Sequence, residues 1–164
     1  MATVEIRAER PDHAQVAPLL EALDAYLYEQ YPVDEFPADV NHILAVSELL
    51  HPSVTFLVAW GSGASGSPAL GCGAVRRLSD SQGAYAEIKR MYVRPIARGQ
   101  GVAELVLTQL EATVRSEGIQ RILLETGTRQ PEALRLYQRC GYAICQRFGD
   151  YKNGPVSVFM EKQS

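Results

Sequence analysis

Residues 87–103 read Glu-Ile-Lys-Arg-Met-Tyr-Val-Arg-Pro-Ile-Ala-Arg-Gly-Gln-Gly-Val-Ala, and they constrain the fold more than any other stretch. The first seven suit a strand, and Pro95 ends it because proline cannot donate to a ladder. Beyond Gly101 the apolar residues recur at helical spacing. A strand that runs through a glycine loop straight into a helix belongs to a mixed α/β layer arrangement. The loop itself, Arg98-Gly99-Gln100-Gly101-Val102-Ala103, is suited to an anion. Two glycines allow positive φ and close backbone approach. The first-turn amides of the helix lack partners within it, and the helix dipole favours negative charge there. Arg98 adds a charged fork that matches phosphate oxygens.

Three kinds of phosphate loop compete for this wording. A Walker A loop ends Gly-Lys-Ser/Thr, whereas Val102 and Ala103 follow Gly101, so that reading fails. A dinucleotide fingerprint needs a third glycine where Glu104 stands and a first glycine at the strand's end. Glu125, after a later strand, could serve as its ribose acid, so a nicotinamide-dependent oxidoreductase stays as a minor alternative. The third pattern, Arg/Gln-x-x-Gly-x-Gly/Ala, is met at Arg98, Gly101 and Ala103.

Downstream stands Gln130-Pro131-Glu132-Ala133-Leu134-Arg135-Leu136-Tyr137-Gln138-Arg139-Cys140-Gly141-Tyr142. The two segments together resemble the signatures of the GNAT N-acetyltransferases. The second departs from the usual pattern at Gln130, where asparagine is customary. Leu-Glu-Thr-Gly before it and Phe148-Gly149-Asp150-Tyr151 after it resemble a bacterial subgroup acting on small molecules or peptides. The resemblance implies the acyl-CoA N-acyltransferase fold and acetyl-CoA as donor. The amides of Gly99, Gln100, Gly101, Val102 and Ala103, with Arg98, would hold its pyrophosphate. A backbone amide in Met91, Tyr92 or Val93, at a bulge, would face the developing oxyanion, an interaction worth ~3 kcal/mol. Tyr137 would protonate the departing sulfur, and Gln130 would touch the cofactor. In some members a glutamate in the context of Glu87 acts as general base.

Strand alternation places Glu87 and Met91 on one face, and an amine that is mostly protonated at neutral pH needs a base or a water chain. Glu87 could equally be an ion-paired glutamate beside Lys89 or Arg90, and Glu125 is the second candidate base. The aromatic segment Tyr26, Tyr28, Tyr31 and Phe36 falls where the resemblance implies a wall of the acceptor pocket; packing of two helix ends explains it equally well. Arg90 and Arg76 are possible anchors for an acidic acceptor. A homodimer is plausible from the family alone.

With 164 residues, 46 % apolar and 21 % charged, the chain is expected to form one domain over 1–164 with its own core. A net charge of −3 argues against nucleic acid. No apolar run reaches membrane length, and the first residues have no apolar signal core, so a cytoplasmic protein is expected. Cys72, Cys140 and Cys145 form no Cys-x-x-Cys, and His13, His42 and His51 show no metal spacing, so no disulfide and no metal are expected. Nothing suggests a covalent acyl-enzyme, which leaves direct transfer in a ternary complex. The alternative from another class is a non-catalytic acyl-CoA-binding or sensing module.

In chain order, strands are expected at 3–8, 54–60, 70–78, 85–93, 122–124, 142–146 and 156–160. A first helix is expected to open at Pro11-Asp12 and end near Tyr31-Pro32, and a second to run from residue 37 or 38 to Leu50. Two more are expected over 101–117 and from Pro131 to Gly141, the third with Ala103, Leu107, Leu110 and Val114 on its apolar face. The order is β-α-α-β-β-β-α-β-α-β-β, mixed α/β.

Overall fold

The computed structural model describes residues 3–30, 44–61, 68–151 and 154–163. The elements are Val4–Ala8 (β1), Ala17–Gln30 (α1), Val46–Leu49 (α2), Val54–Gly61 (β2), Ala69–Asp80 (β3), Gly83–Val93 (β4), Val102–Arg115 (α3), Arg121–Gly127 (β5), Pro131–Arg139 (α4), Ala143–Ile144 (β6) and Ser157–Gln163 (β7). This is the expected order. The strands form one sheet, β1-β2-β3-β4-β5-β7-β6. Every neighbouring pair is antiparallel except β4 and β5, which α3 joins, as a parallel pair requires a crossover.

The parallel ladder is short. It pairs Ala86 with Ile122, Glu87 with Leu123 and Ile88 with Leu124. Beyond it β4 stays on β3 as far as Val93, while β5 stays on β7 as far as Gly127. The two strands therefore part after Ile88 and Leu124, leaving a split in the middle of the sheet.

A bulge sits beside that split. Ala74 pairs with Lys89 and Cys72 with Tyr92, so Gly73 alone opposes both Arg90 and Met91. Arg90 takes φ 56°, and the extra residue reverses the alternation of β4. Ala86 and Ile88 share a face with Met91 and Val93, under α3. Glu87 looks to the other face, towards Arg76 and Tyr151. The expectation that Glu87 and Met91 share a face is thus corrected: counting by two fails across a bulge.

Gly73 is required at this point. A Cβ there would lie 2.4 Å from Met91 Sδ, 2.9 Å from Val106 Cγ1 and 3.1 Å from Leu110 Cδ1. Met91 could swing away, but the other two belong to packed residues of α3. Gly73→Ala is expected to destabilise the fold by about 1–3 kcal/mol, the usual cost of overpacking, read as a lower denaturation midpoint at unchanged denaturant slope.

Apolar packing covers both faces. Val102, Val106, Leu107, Leu110 and Val114 of α3 pack on Leu57, Val75, Ile88, Ile122 and Leu124. On the opposite face Leu19 and Leu20 of α1, with Leu44 and Leu49, cover Phe56, Val58, Trp60 and Ala74. Under β4, β5 and β7 on that face lie Tyr85, Leu123, Phe148, Tyr151 and Phe159. Leu123 and its neighbours Ile122 and Leu124 are all buried, as a strand covered on both sides demands.

Three details of the helices differ from expectation. Residues 10–16 form tight turns, His13 N–H bonding Arg10 O at 3.1 Å and Val16 N–H bonding His13 O at 2.9 Å. The Asp12 carboxylate binds Arg10 at 2.8 and 2.9 Å instead of capping a helix, so α1 begins at Ala17. Val106 replaces Ala103 in the buried stripe of α3, because Ala103 faces the cleft described below. The second helix is seen only as Val46–Leu49: Leu44 and Ala45 precede it without helical structure, Ala45 being extended at its cap, and residues 37–43 of that expectation, with Tyr31 and Phe36, lie outside the described residues.

Candidate active site

A cleft of about 380 Å³ opens between the bulged end of β4, the loop before α3, and α4. Each wall follows from the sequence nearby. Pro95–Ala97 turns the chain out of β4, and Gly99 and Gly101 both take φ 78°, which reverses it into α3. Gly101 caps that helix, its carbonyl accepting from Leu105 N–H at 3.1 Å. The amides of Val102, Ala103 and Glu104 thus lie in the first turn, where no carbonyl of the helix can reach them. A Cβ added at Gly99 or Gly101 would meet nothing within 4 Å. The space in front of the loop is open, which fits a group lying against the backbone.

The cleft gathers most of the expected cofactor residues. Met91, Tyr92, Val93, Arg98, Gly99, Gly101, Val102, Ala103 and Gln130 line it, with Tyr137 and Tyr26. Gln100 is exposed beside it, its side-chain amide reaching Ile96 O at 3.4 Å. Arg98 donates Nε to Val93 O at 3.0 Å. Its guanidinium lies between the rings of Tyr26 and Tyr92, 5.8 and 5.7 Å from their centroids, so α1 is tied to the loop through a cation–π contact.

Tyr137 stands on the α4 side with its ring against Tyr142, centroids 5.8 Å apart. Burial pushes its phenol well above the ordinary tyrosine range, so it keeps its proton at any pH the protein will meet. Tyr142 donates to Glu111 at 2.6 Å, which holds this stack in place from below.

The remaining candidates lie elsewhere. Glu87 is 1 % exposed and does not line the cleft. It faces Arg76 directly across β3, with Oε1 2.9 Å from the Arg76 guanidinium. Its Oε2 accepts from Tyr151 at 2.6 Å and lies 3.4 Å from Lys89 Nζ. Burial lowers the Lys89 ammonium, against the opposing pull of Glu87 and Glu125. Glu125 is the next β5 residue after the parallel ladder, as Lys89 is on β4. Arg90 pairs with Asp24 of α1 at 2.7 Å and its side chain is 6 % exposed, so it braces the bulge against α1. Tyr28 is 61 % exposed and stands off the cleft.

Sequence reading passed over two features. Glu104 and Arg139 form an ion pair at 3.0 Å across the cleft mouth; the glutamate beside the anion loop was itself a signal that a cation must answer it. Tyr151 joins the buried pair of Glu87 and Lys89, itself one reading the sequence offered, and its 62-residue separation from Lys89 leaves no local trace. Among the described residues no group of three His, Cys, Asp or Glu could hold a metal, and no helix is long and apolar enough to cross a membrane.

A sheet split between two parallel strands, with a bulge on one and an anion loop leading into α3, defines an acyltransferase of the N-acyltransferase fold class. The chain belongs to the GNAT acetyltransferase family, whose model matches residues 16–142. It is 40 % identical to the IAA acetyltransferase of Azospirillum brasilense over 162 residues, 99 % of each chain. It is 35 % identical over 129 residues to the uncharacterized N-acetyltransferase YsnE of Bacillus subtilis, covering 77 % of this chain and 81 % of that one. Among solved structures, a candidate acyl-CoA N-acyltransferase from Klebsiella pneumoniae superposes with TM-score 0.74 at 34 % identity, over 99 % and 97 % of the two chains. The PaiA N-acetyltransferase of Thermoplasma acidophilum, in complex with coenzyme A, shares the fold with TM-score 0.73 at 17 % identity, over 99 % of each chain. This protein is therefore an acetyltransferase.

Proposed function

We propose that the protein transfers acetyl from acetyl-CoA to a primary amine of a small molecule or peptide, directly, with both substrates bound together. The observation that carries this reading is the single cleft that unites the glycine loop, the bulged end of β4 and Tyr137. Acetyl-CoA supplies the activated acyl group as a thioester. The loop amides and Arg98 hold its phosphates, and the backbone around Met91 to Val93 stabilises negative charge on the carbonyl oxygen. Tyr137 holds a proton ready for the sulfur as it departs. Glu87 is the terminal proton acceptor, and Glu125 borders the split on the acceptor side.

The test is a calorimetric titration with acetyl-CoA and with NAD, followed by thiol release over a panel of amines. The panel holds polyamines, amino acids, amine-bearing antibiotics, peptides with free amino termini, and the compound in the name of the Azospirillum relative. Acetyl-CoA is expected to bind and NAD not, with thiol release that depends on an acceptor. Failure of acetyl-CoA to bind would overturn the reading of the loop. Binding with no release across the panel would favour a non-catalytic acyl-CoA-binding module, a reading that the burial of Glu87 away from the cleft makes worth the control.

A further inference from the structure

The cleft that takes the donor has a lining without net charge. Among the described residues that line it, the charged ones are Arg98, Glu104, Glu132 and Arg139, two of each sign. Acetyl-CoA, the donor in the reading above, is by contrast a strong anion. It carries a pyrophosphate and, further out on its ribose, a phosphate monoester, a group with a charge of about −1.5 to −2 at neutral pH. The loop amides and Arg98 answer the pyrophosphate. The monoester is left needing a cation.

Arg139 is the cation placed to answer it. It ends α4 and stands across the cleft mouth from Glu104, in the first turn of α3. Its Nη2 and Nε both donate to one carboxylate oxygen, Glu104 Oε1, at 3.0 and 3.4 Å. The stronger fork, two nitrogens on two oxygens, is therefore not formed. The two side chains are 61 % and 48 % exposed, and a pair so exposed contributes little to stability. A phosphate offers the planar guanidinium the two parallel bonds that Glu104 does not. The position along the cleft also fits. Tyr137 is buried, whereas the glycine loop, Glu104 and Arg139 are exposed. A donor with its sulfur at Tyr137 and its pyrophosphate at the loop presents its outermost phosphate at the open end.

We infer that Arg139 is a specificity residue for the donor: it leaves Glu104 to bind the ribose phosphate monoester. This rests on the acetyl-CoA reading above. Glu104 holds the guanidinium at the mouth while the cleft is empty, and its own charge opposes the incoming phosphates. The two residues thus act in opposite senses on an anionic donor. A pair that only tied α3 to α4 would behave otherwise: removal of either end would weaken binding alike, whatever the donor's charge.

The experiment is a calorimetric titration, at one ionic strength, of wild type, Arg139→Gln and Glu104→Gln with acetyl-CoA and with acetyl-dephospho-CoA, which lacks only the monoester. Wild type is expected to bind acetyl-CoA about tenfold more tightly, at the lower end of what a hydrogen bond between charged groups contributes. Arg139→Gln is expected to lose that preference. Its affinity for acetyl-CoA falls about tenfold, and for acetyl-dephospho-CoA at most about twofold, the remainder of a screened charge. Glu104→Gln is expected to bind acetyl-CoA about threefold more tightly than wild type, the scale of an exposed charge pair. Binding of acetyl-dephospho-CoA also reports that each variant is folded. Equal affinity of wild type for the two donors would overturn the inference while leaving the acetyl-CoA reading intact. So would an equal loss of both donors in Arg139→Gln, or weaker binding of acetyl-CoA by Glu104→Gln, which would make the pair a brace between helices. Binding of neither donor by wild type would overturn the acetyl-CoA reading itself, and this inference with it.

Discussion

Gly101→Val is expected to raise the dissociation constant for acetyl-CoA on the order of 10³-fold while leaving the protein folded. Gly101 sits at φ 78°, a conformation that a β-branched residue avoids. The variant must move the backbone at the cap of α3, and the first-turn amides turn with it. Losing two charge-assisted hydrogen bonds to phosphate, at about 2 kcal/mol each, gives that factor. The open space around the position makes the result diagnostic. A Cβ there meets nothing within 4 Å, so no packing is disturbed and the loss falls on the ligand. Calorimetric titration of acetyl-CoA checks it, alongside a thermal midpoint within a few degrees of wild type. Unchanged affinity would show that the phosphates lie elsewhere.

Tyr137→Phe is expected to lower kcat on the order of 10³-fold, within the range general acids contribute, with acetyl-CoA affinity changed less than about threefold. The substitution keeps the ring that packs against Tyr142 at 5.8 Å and removes only the hydroxyl of a residue that lines the cleft. Burial holds that phenol above its ordinary range, so it stays protonated throughout a usual assay range. The deficit should therefore be the same at pH 6 and pH 9. Steady-state kinetics at both pH values, with a separate binding measurement, distinguish this from lost affinity. A kcat near wild type would pass the proton-donating role to water or another group.

How much of this was legible in advance differs between elements. The loop at 98–103 and α4 at 131–139 could be read directly, because turn glycines, a helix cap and helical spacing are local in the chain. The succession of strand and helix runs likewise indicated a mixed α/β layer fold, and the order of elements stands as expected. The face of Glu87 could not be read. Alternation is reliable only while the strand has no extra residue, and nothing in Ile-Lys-Arg-Met-Tyr announces that Arg90 takes φ 56°. That bulge depends on Gly73, a residue of the neighbouring strand that tolerates Met91 and α3 at close range. Arg90 shows the same limit: its partner Asp24 is 66 residues away, so the ion pair that ties β4 to α1 leaves no local trace in the chain.

By itself, then, the sequence determined what short-range geometry governs: the anion loop, the helices beside it, the apolar runs of the sheet, and a family resemblance carried by those same segments. Only the tertiary structure decided which polar side chains meet. Glu87, Arg76, Lys89 and Tyr151 come from two neighbouring strands and a distant loop, and they converge because β3, β4 and β5 lie side by side with Tyr151 folded over them. Burying several charges together is tolerated only where each finds a partner, and such pairing is a property of the closed fold.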